Sequence, residues 1–142
     1  MNWRLIFQLS LFGLAMGIAT VYVIPSNIEP AFWLVIFLIC AYLIAKGTAG
    51  AGMHFVHGLL LGVANSVWIT AAHVLLFDRY IANHAREAAM MQNPSLPLSG
   101  RAMMAVVGPV VGLVSGVILG IFALIAGKLV KTAPVPTSKV TA

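Results

Sequence analysis

The sequence predicts an all-α integral membrane protein, a four-helix bundle with both termini cytoplasmic. Its third helix is expected to extend beyond the membrane on the outer side. Three observations lead there. The chain of 142 residues is 61% hydrophobic and only 8% charged, with a mean hydropathy of +1.03. A soluble domain is nearer 45–50% apolar and about 25% charged. The few charges divide the sequence into four apolar stretches. Each stretch is close to the roughly 20 residues that a helix needs to cross about 30 Å of hydrocarbon. Eight Lys and Arg with three Asp and Glu could not cover a water-facing surface, which excludes a soluble enzyme and a chain that is disordered as a whole.

The first span is expected at 5–24. It follows Arg4 and stops at Pro25. It is too long for the core of a secretory signal peptide, so it reads as a retained helix. Pro25, Ser26, Asn27 and Pro30 make a short turn, since proline and asparagine favour turn conformations. The second span, 30–50, is interrupted near its end by Lys46, a side chain that can extend its amine to the interface. Gly47, Gly50 and Gly52 form a tight connection, and the third span occupies 53–77. From Asp78 to Met91 there is no Gly or Pro, so the third helix is expected to continue for two to four turns until Pro94 and Pro97 break it. The loop and extension cover 78–100. The fourth span is 102–127, and the tail 132–142 reads as disordered. Together 1–131 make a single transmembrane domain.

Charge sets the orientation. One side carries Arg4, Lys46, Lys128, Lys131 and Lys139. The other carries Arg79, Arg86 and Arg101 with all three acids, Glu29, Asp78 and Glu87. The excess of basic residues marks the cytoplasmic side. The pI of about 9.9 is a signal of this kind. The basic residues are scattered singly, so no nucleic-acid partner is expected. The single Cys40 excludes an internal disulfide framework.

Candidate functional residues fall in two groups. Gly108, Gly112, Gly116 and Gly120 recur every four residues in the last span, and Gly13 with Gly17 and Gly58 with Gly62 repeat that spacing. Small residues at this spacing, a glycine zipper, let helix backbones approach closely in lipid. The groove they trace serves packing within the chain or across an oligomer, or a path or hinge beside Gly108 and Pro109. The second group is a polar stripe. His54, His57, Asn65 and Trp68 lie within about 80° of one another on a helical wheel, with His73 at the margin. Polar groups facing lipid are unfavourable, so this face should look inward. It serves either as hydrogen-bonded packing or as a relay for a proton or ion. No acid lies in the spans between Glu29 and Asp78, which counts against a proton pump.

A haem needs ligands on facing helices, and all four histidines lie on the third helix or its extension, leaving His73 with Met103 or Met104 as the pairing within one chain. A metal at His54 and His57 would need a third ligand such as Cys40. Neither cofactor nor metal is expected. The triplet Asp78-Arg79-Tyr80 occurs at a helix end in seven-span receptors, a fold that four spans cannot make. It is set aside. No catalytic motif is present: no Gly-x-Ser-x-Gly, no His-Glu-x-x-His, no phosphate loop and no paired carboxylates.

Residues 55–62, Phe-Val-His-Gly-Leu-Leu-Leu-Gly, open a span that passes to Tyr80-Ile81-Ala82-Asn83-His84. A glycine-rich last span follows and ends in Lys128-Leu129-Val130-Lys131. This layout, over residues 50–131, resembles a bacterial four-span inner-membrane family of unknown function. The resemblance implies a multi-pass location in the bacterial inner (plasma) membrane and carries no functional residue over. The expected function is non-enzymatic. The protein would act by helix association as a homo-oligomer or as an accessory subunit of a larger membrane complex. The partners are then the lipid bilayer and itself or another membrane protein. The alternatives are a small dimeric transporter or channel built on the polar stripe, and a cofactor-binding redox subunit.

Overall fold

The computed structural model describes residues 1–91 and 98–130. The expected break at Pro94 and Pro97 and the tail 132–142 lie outside the described residues. The described chain is helical throughout. Four of its helices are long and apolar enough to cross a membrane.

Helix α1 (Trp3–Tyr22) is capped by Asn2, whose side chain accepts from the Leu5 amide at 3.1 Å. Such a cap satisfies one of the donors that a helix start leaves free. Helix α2 (Glu29–Gly47) begins Glu29-Pro30, a position where the missing proline donor is harmless. Gly50, at φ +86°, turns the chain into α3 (Ala51–Leu75). That backbone angle is open to glycine and strained for other residues. Helices α4 (Phe77–Asn83) and α5 (Ala85–Met91) follow, and α6 (Gly100–Leu129) closes the fold. At 30 residues α6 is about 45 Å long, more than a hydrocarbon core requires. The four long helices begin and end within three residues of the expected spans.

The extension of α3 differs from expectation. It is two short helices, interrupted at Leu76 and at His84. At the second break the His84 ring Nδ1 lies 2.9 Å from the Tyr80 carbonyl, while the His84 amide bonds instead to Ile81 at 3.3 Å. A side chain that occupies the carbonyl of the preceding turn competes with continuation of the helix.

Helices α3 and α6 form the central, antiparallel pair. Gly108 meets Thr70, Gly112 meets Ser66, Gly116 meets Gly62 and the Leu59 carbonyl, and Gly120 meets Gly58 and Phe55. A Cβ on Gly58 would stand 2.6 Å from the Gly120 backbone, and one on Gly62 would run into Gly116. With no Cβ on either side, the two backbones touch directly. Helix α1 packs on the other flank of α3, with Gly13 against Asn65 and Gly17 against Ile69 and Ala72. All eight glycines of the three rows therefore face neighbouring helices of the same chain. Helix α2 leans on α6 through Cys40, Ala41 and Ile44, which join Leu61, Leu119 and Ala123 in the core. Large apolar side chains point outward instead, among them Phe32, Val35 and Leu38 on α2 and Val110, Val114 and Ile125 on α6. An exterior more apolar than the interior suits a lipid surround.

Two ends can be distinguished. Asn2, Gly47, Thr48, His54, His57 and Gly127 meet at the terminal end. Val21, His73, Asp78, Tyr80, Asn83 and Arg101 gather at the loop end. The Arg101–Asp78 ion pair there is 2.7 Å long and exposed on both sides. Exposed pairs contribute roughly 0–1 kcal/mol, so Asp78→Ala is expected to shift detergent unfolding by no more than about that amount.

Candidate functional site

The polar stripe of α3 divides into two parts. At the terminal end His57 is fully buried. Its Nδ1 lies 2.7 Å from the Met53 carbonyl, and its Nε2 accepts from the Asn2 amide at 2.9 Å. The proton therefore sits on Nδ1, which donates to Met53, because a nitrogen that accepts from an amide must be bare. His54 reaches the Thr48 carbonyl at 3.2 Å and packs beneath Gly127. Both rings are occupied in tying α3 to the chain start and to the α2–α3 turn. His57→Ala is expected to free the start of α1 and lower stability by about 2 kcal/mol, mainly through the lost buried hydrogen bonds and the cavity left behind. Faster amide exchange at residues 2–5 is the check.

At the loop end His73 Nε2 lies 2.8 Å from Thr20 Oγ1. The single Thr20 hydroxyl proton goes to the Met16 carbonyl at 2.8 Å. His73 must then donate through Nε2. The rings of His73 and Tyr80 are 4.3 Å apart and tilted, and those of Tyr80 and His84 are stacked at 4.1 Å. Asn83 donates to the Val21 carbonyl at 2.7 Å and fixes this column over the end of α1. Burial, then Glu87 and Glu29, push the Tyr80 phenol up to about 12. It stays a neutral hydroxyl across the physiological range. The sign follows directly: a phenol raised above its ordinary value of about 10 disfavours its ionised form in the fold. Stability is therefore expected to hold below about pH 10 and to fall between about pH 10 and 12. Tyr80→Phe should remove that part of the decline in an alkaline unfolding series.

Between these ends, α2, α3 and α6 enclose a crevice of about 660 Å³, within the 300–1,000 Å³ usual for small-molecule sites. The terminal half of α2 packs tightly on α6 through small and medium side chains. The loop-end half carries the bulkier Trp33, Leu34 and Phe37, of which Phe37 reaches Phe122 on α6. Facing them are small residues, Gly62 and Ser66 on α3 and Gly108, Gly112 and Ser115 on α6. Bulk on one wall and its absence on the other leave the gap. Trp33, Phe37 and Phe122 form an edge-to-face aromatic wall, with centroids 5.9 and 6.3 Å apart. Leu34, Val107, Val111 and Ile118 form an exposed rim. Tyr80, His73, Ser26 and Glu29 also line the crevice. Glu29 Oε1 accepts from the Trp33 indole at 3.0 Å. Toward the terminal end the crevice gives way to Leu61, Leu119 and Ala123, all fully buried.

Asn65 lies on the crevice wall, only 3% exposed. Among the described residues, neither its amide nitrogen nor its oxygen has a hydrogen-bond partner. An unpaired buried polar group costs about 1–3 kcal/mol; the Asn65 oxygen lies beside Gly13 of α1, and the residue also lines the crevice from α3. Ser26 Oγ is also buried without a partner and also lines the crevice.

The structure thus brings Asn65 and His73 to one cavity and leaves His54 and His57 outside it. The sequence reading missed Ser26, Glu29, Trp33, Thr70 and Tyr80 as site residues. Two signals were present. Tyr80 follows His73 by seven residues and precedes His84 by four, so the three share a helical face. Glu29 and Trp33 are likewise four apart on α2. The fold separates the Asp78-Arg79-Tyr80 triplet: Asp78 pairs with Arg101, and Tyr80 lines the crevice. Cys40 is buried in the apolar core rather than beside His54 and His57. Among the described residues no three His, Cys, Asp or Glu side chains come together as metal ligands. No protein-family model, curated protein or solved structure matches the chain.

Proposed function

We propose that this chain is a non-enzymatic multi-pass protein, with both termini cytoplasmic in a bacterial inner membrane, that binds a small amphiphilic molecule drawn laterally from the bilayer. One observation carries the reading: a buried carboxamide, Asn65, stands unpartnered on the wall of a crevice that is otherwise largely apolar and aromatic. Sites of this type are mostly apolar, with a few polar groups that fix orientation. The rim between α2 and α6 is lined by aliphatic side chains, so entry from the lipid is the natural route. The filled interior beyond Asn65 favours a binding site over a continuous conduit. The glycine rows are engaged within the chain, so association between copies or with another membrane protein would use other surfaces.

The test is organic extraction of the protein purified in mild detergent, followed by mass spectrometry. A stoichiometric small molecule should accompany the wild type and be absent from Asn65→Leu. A clean wild-type extract, or equal occupancy in both proteins, would refute the proposal.

A further inference from the structure

We infer that the occupant of this crevice is a single-chain amphiphile with a protonated amine head, the ammonium seated between Glu29 and Ser26 and an uncharged hydrogen-bonding group of the chain meeting Asn65. The inference rests on the crevice-binding reading above and adds the chemistry of the ligand.

Among the described residues the lining holds one carboxylate, Glu29, and no lysine or arginine. Only one of the two Glu29 oxygens is used by Trp33, so the other remains for a donor. Ser26 Oγ, buried and unpartnered, offers a second acceptor at the same end. The Trp33 ring adds to this: it lines the cavity, and indole faces attract cations. The other titratable groups of the lining are His73, which donates to Thr20, and the neutral Tyr80 phenol. Neither opposes a cation. An anionic head would meet Glu29 with no compensating base. The Arg101 guanidinium at this end is engaged by Asp78 and lies over the Phe77 ring.

Asn65 sets the second requirement. It lies eight residues from His73, about 12 Å along the helix axis, so it is reached by the chain rather than by the head. A carboxamide in an apolar cavity pairs well with a neutral donor or acceptor, whereas a second charge there would be desolvated at high cost. A volume near 660 Å³ suits one chain.

The experiment uses the whole protein in nanodiscs of phosphatidylcholine, a lipid with no primary amine, with empty nanodiscs subtracted. Saturable binding is measured for radiolabelled dodecylammonium, dodecyl maltoside and dodecyl sulfate. Dodecylammonium is expected to bind at least about 10-fold tighter than the maltoside, which corresponds to about 1.4 kcal/mol, and the sulfate weakest. Glu29→Gln keeps an oxygen for the Trp33 indole. It should bring the ammonium within about 2-fold of the maltoside. Asn65→Leu should weaken the two binding probes, ammonium and maltoside, together. Equal saturable binding of all three probes, or preference for the sulfate, overturns the amine assignment and leaves the crevice reading standing. No saturable binding of any probe overturns both.

Discussion

Replacing Gly62 or Gly116 with valine is expected to unfold this protein in mild detergent, or to lower its stability by about 3 kcal/mol or more. Overpacking a well-packed site typically costs about 1–3 kcal/mol, occasionally more. Here the obstacle is backbone. A Cβ at Gly62 meets the Gly116 Cα and nitrogen, and one at Gly116 meets the Leu59 carbonyl. Backbone cannot rotate aside as the end of a side chain can, so α3 and α6 must separate along their length. Gly52 is the internal control. No heavy atom lies near a Cβ placed there, and it occupies the first turn of α3. Gly52→Ala should be neutral or slightly stabilising, since alanine favours helix by up to about 1 kcal/mol over glycine. Reversible denaturation in mixed micelles, followed by helicity, gives the comparison. Equal stability of Gly62→Val and the wild type would show that the central helix contact is not the one described.

Asn65→Leu should act in two directions at once. In the ligand-free protein it removes two buried polar atoms that lack partners and substitutes an apolar group of similar size. Stability is expected to rise by about 1–2 kcal/mol, the desolvation penalty no longer being incurred. Ligand binding should be lost in the same variant. A residue that weakens the fold while it waits for a partner marks a functional position, because strain of this kind is tolerated where the bound state uses it. If Asn65→Leu were instead destabilised by more than about 1 kcal/mol, the carboxamide would have a structural role. Its place as the polar anchor of the crevice would then be withdrawn. The measurement is the same mixed-micelle denaturation, run with and without prior delipidation.

How much of the site was legible in the sequence depended on distance along the chain. Asn65 and His73 were visible as polar residues on one face of an apolar helix, since 3.6-residue periodicity is local. The crevice was not. It arises because Trp33 and Phe37 on α2 confront Gly108, Gly112 and Ser115 on α6, residues more than seventy positions apart. No pattern within either segment records that meeting. The fate of the histidines was equally non-local. His57 is spent on the Asn2 amide and His73 on Thr20, partners that lie on α1 and at its cap.

The sequence by itself determined the four apolar helices, because bilayer thickness and the penalty on charge act on each segment separately. It also supplied the glycine spacing that permits close approach. Only the tertiary structure decided which surfaces those glycines meet, α6 on α3 and α1 on α3, and so that the rows are engaged inside the chain. Likewise, it alone decided that the extension folds as two short helices, the first of them against the end of α1, and that α2, α3 and α6 line a common crevice. The physical reason is that helix formation is driven by local hydrogen bonds, whereas packing in lipid is chosen by the fit of small and large side chains between segments distant in sequence.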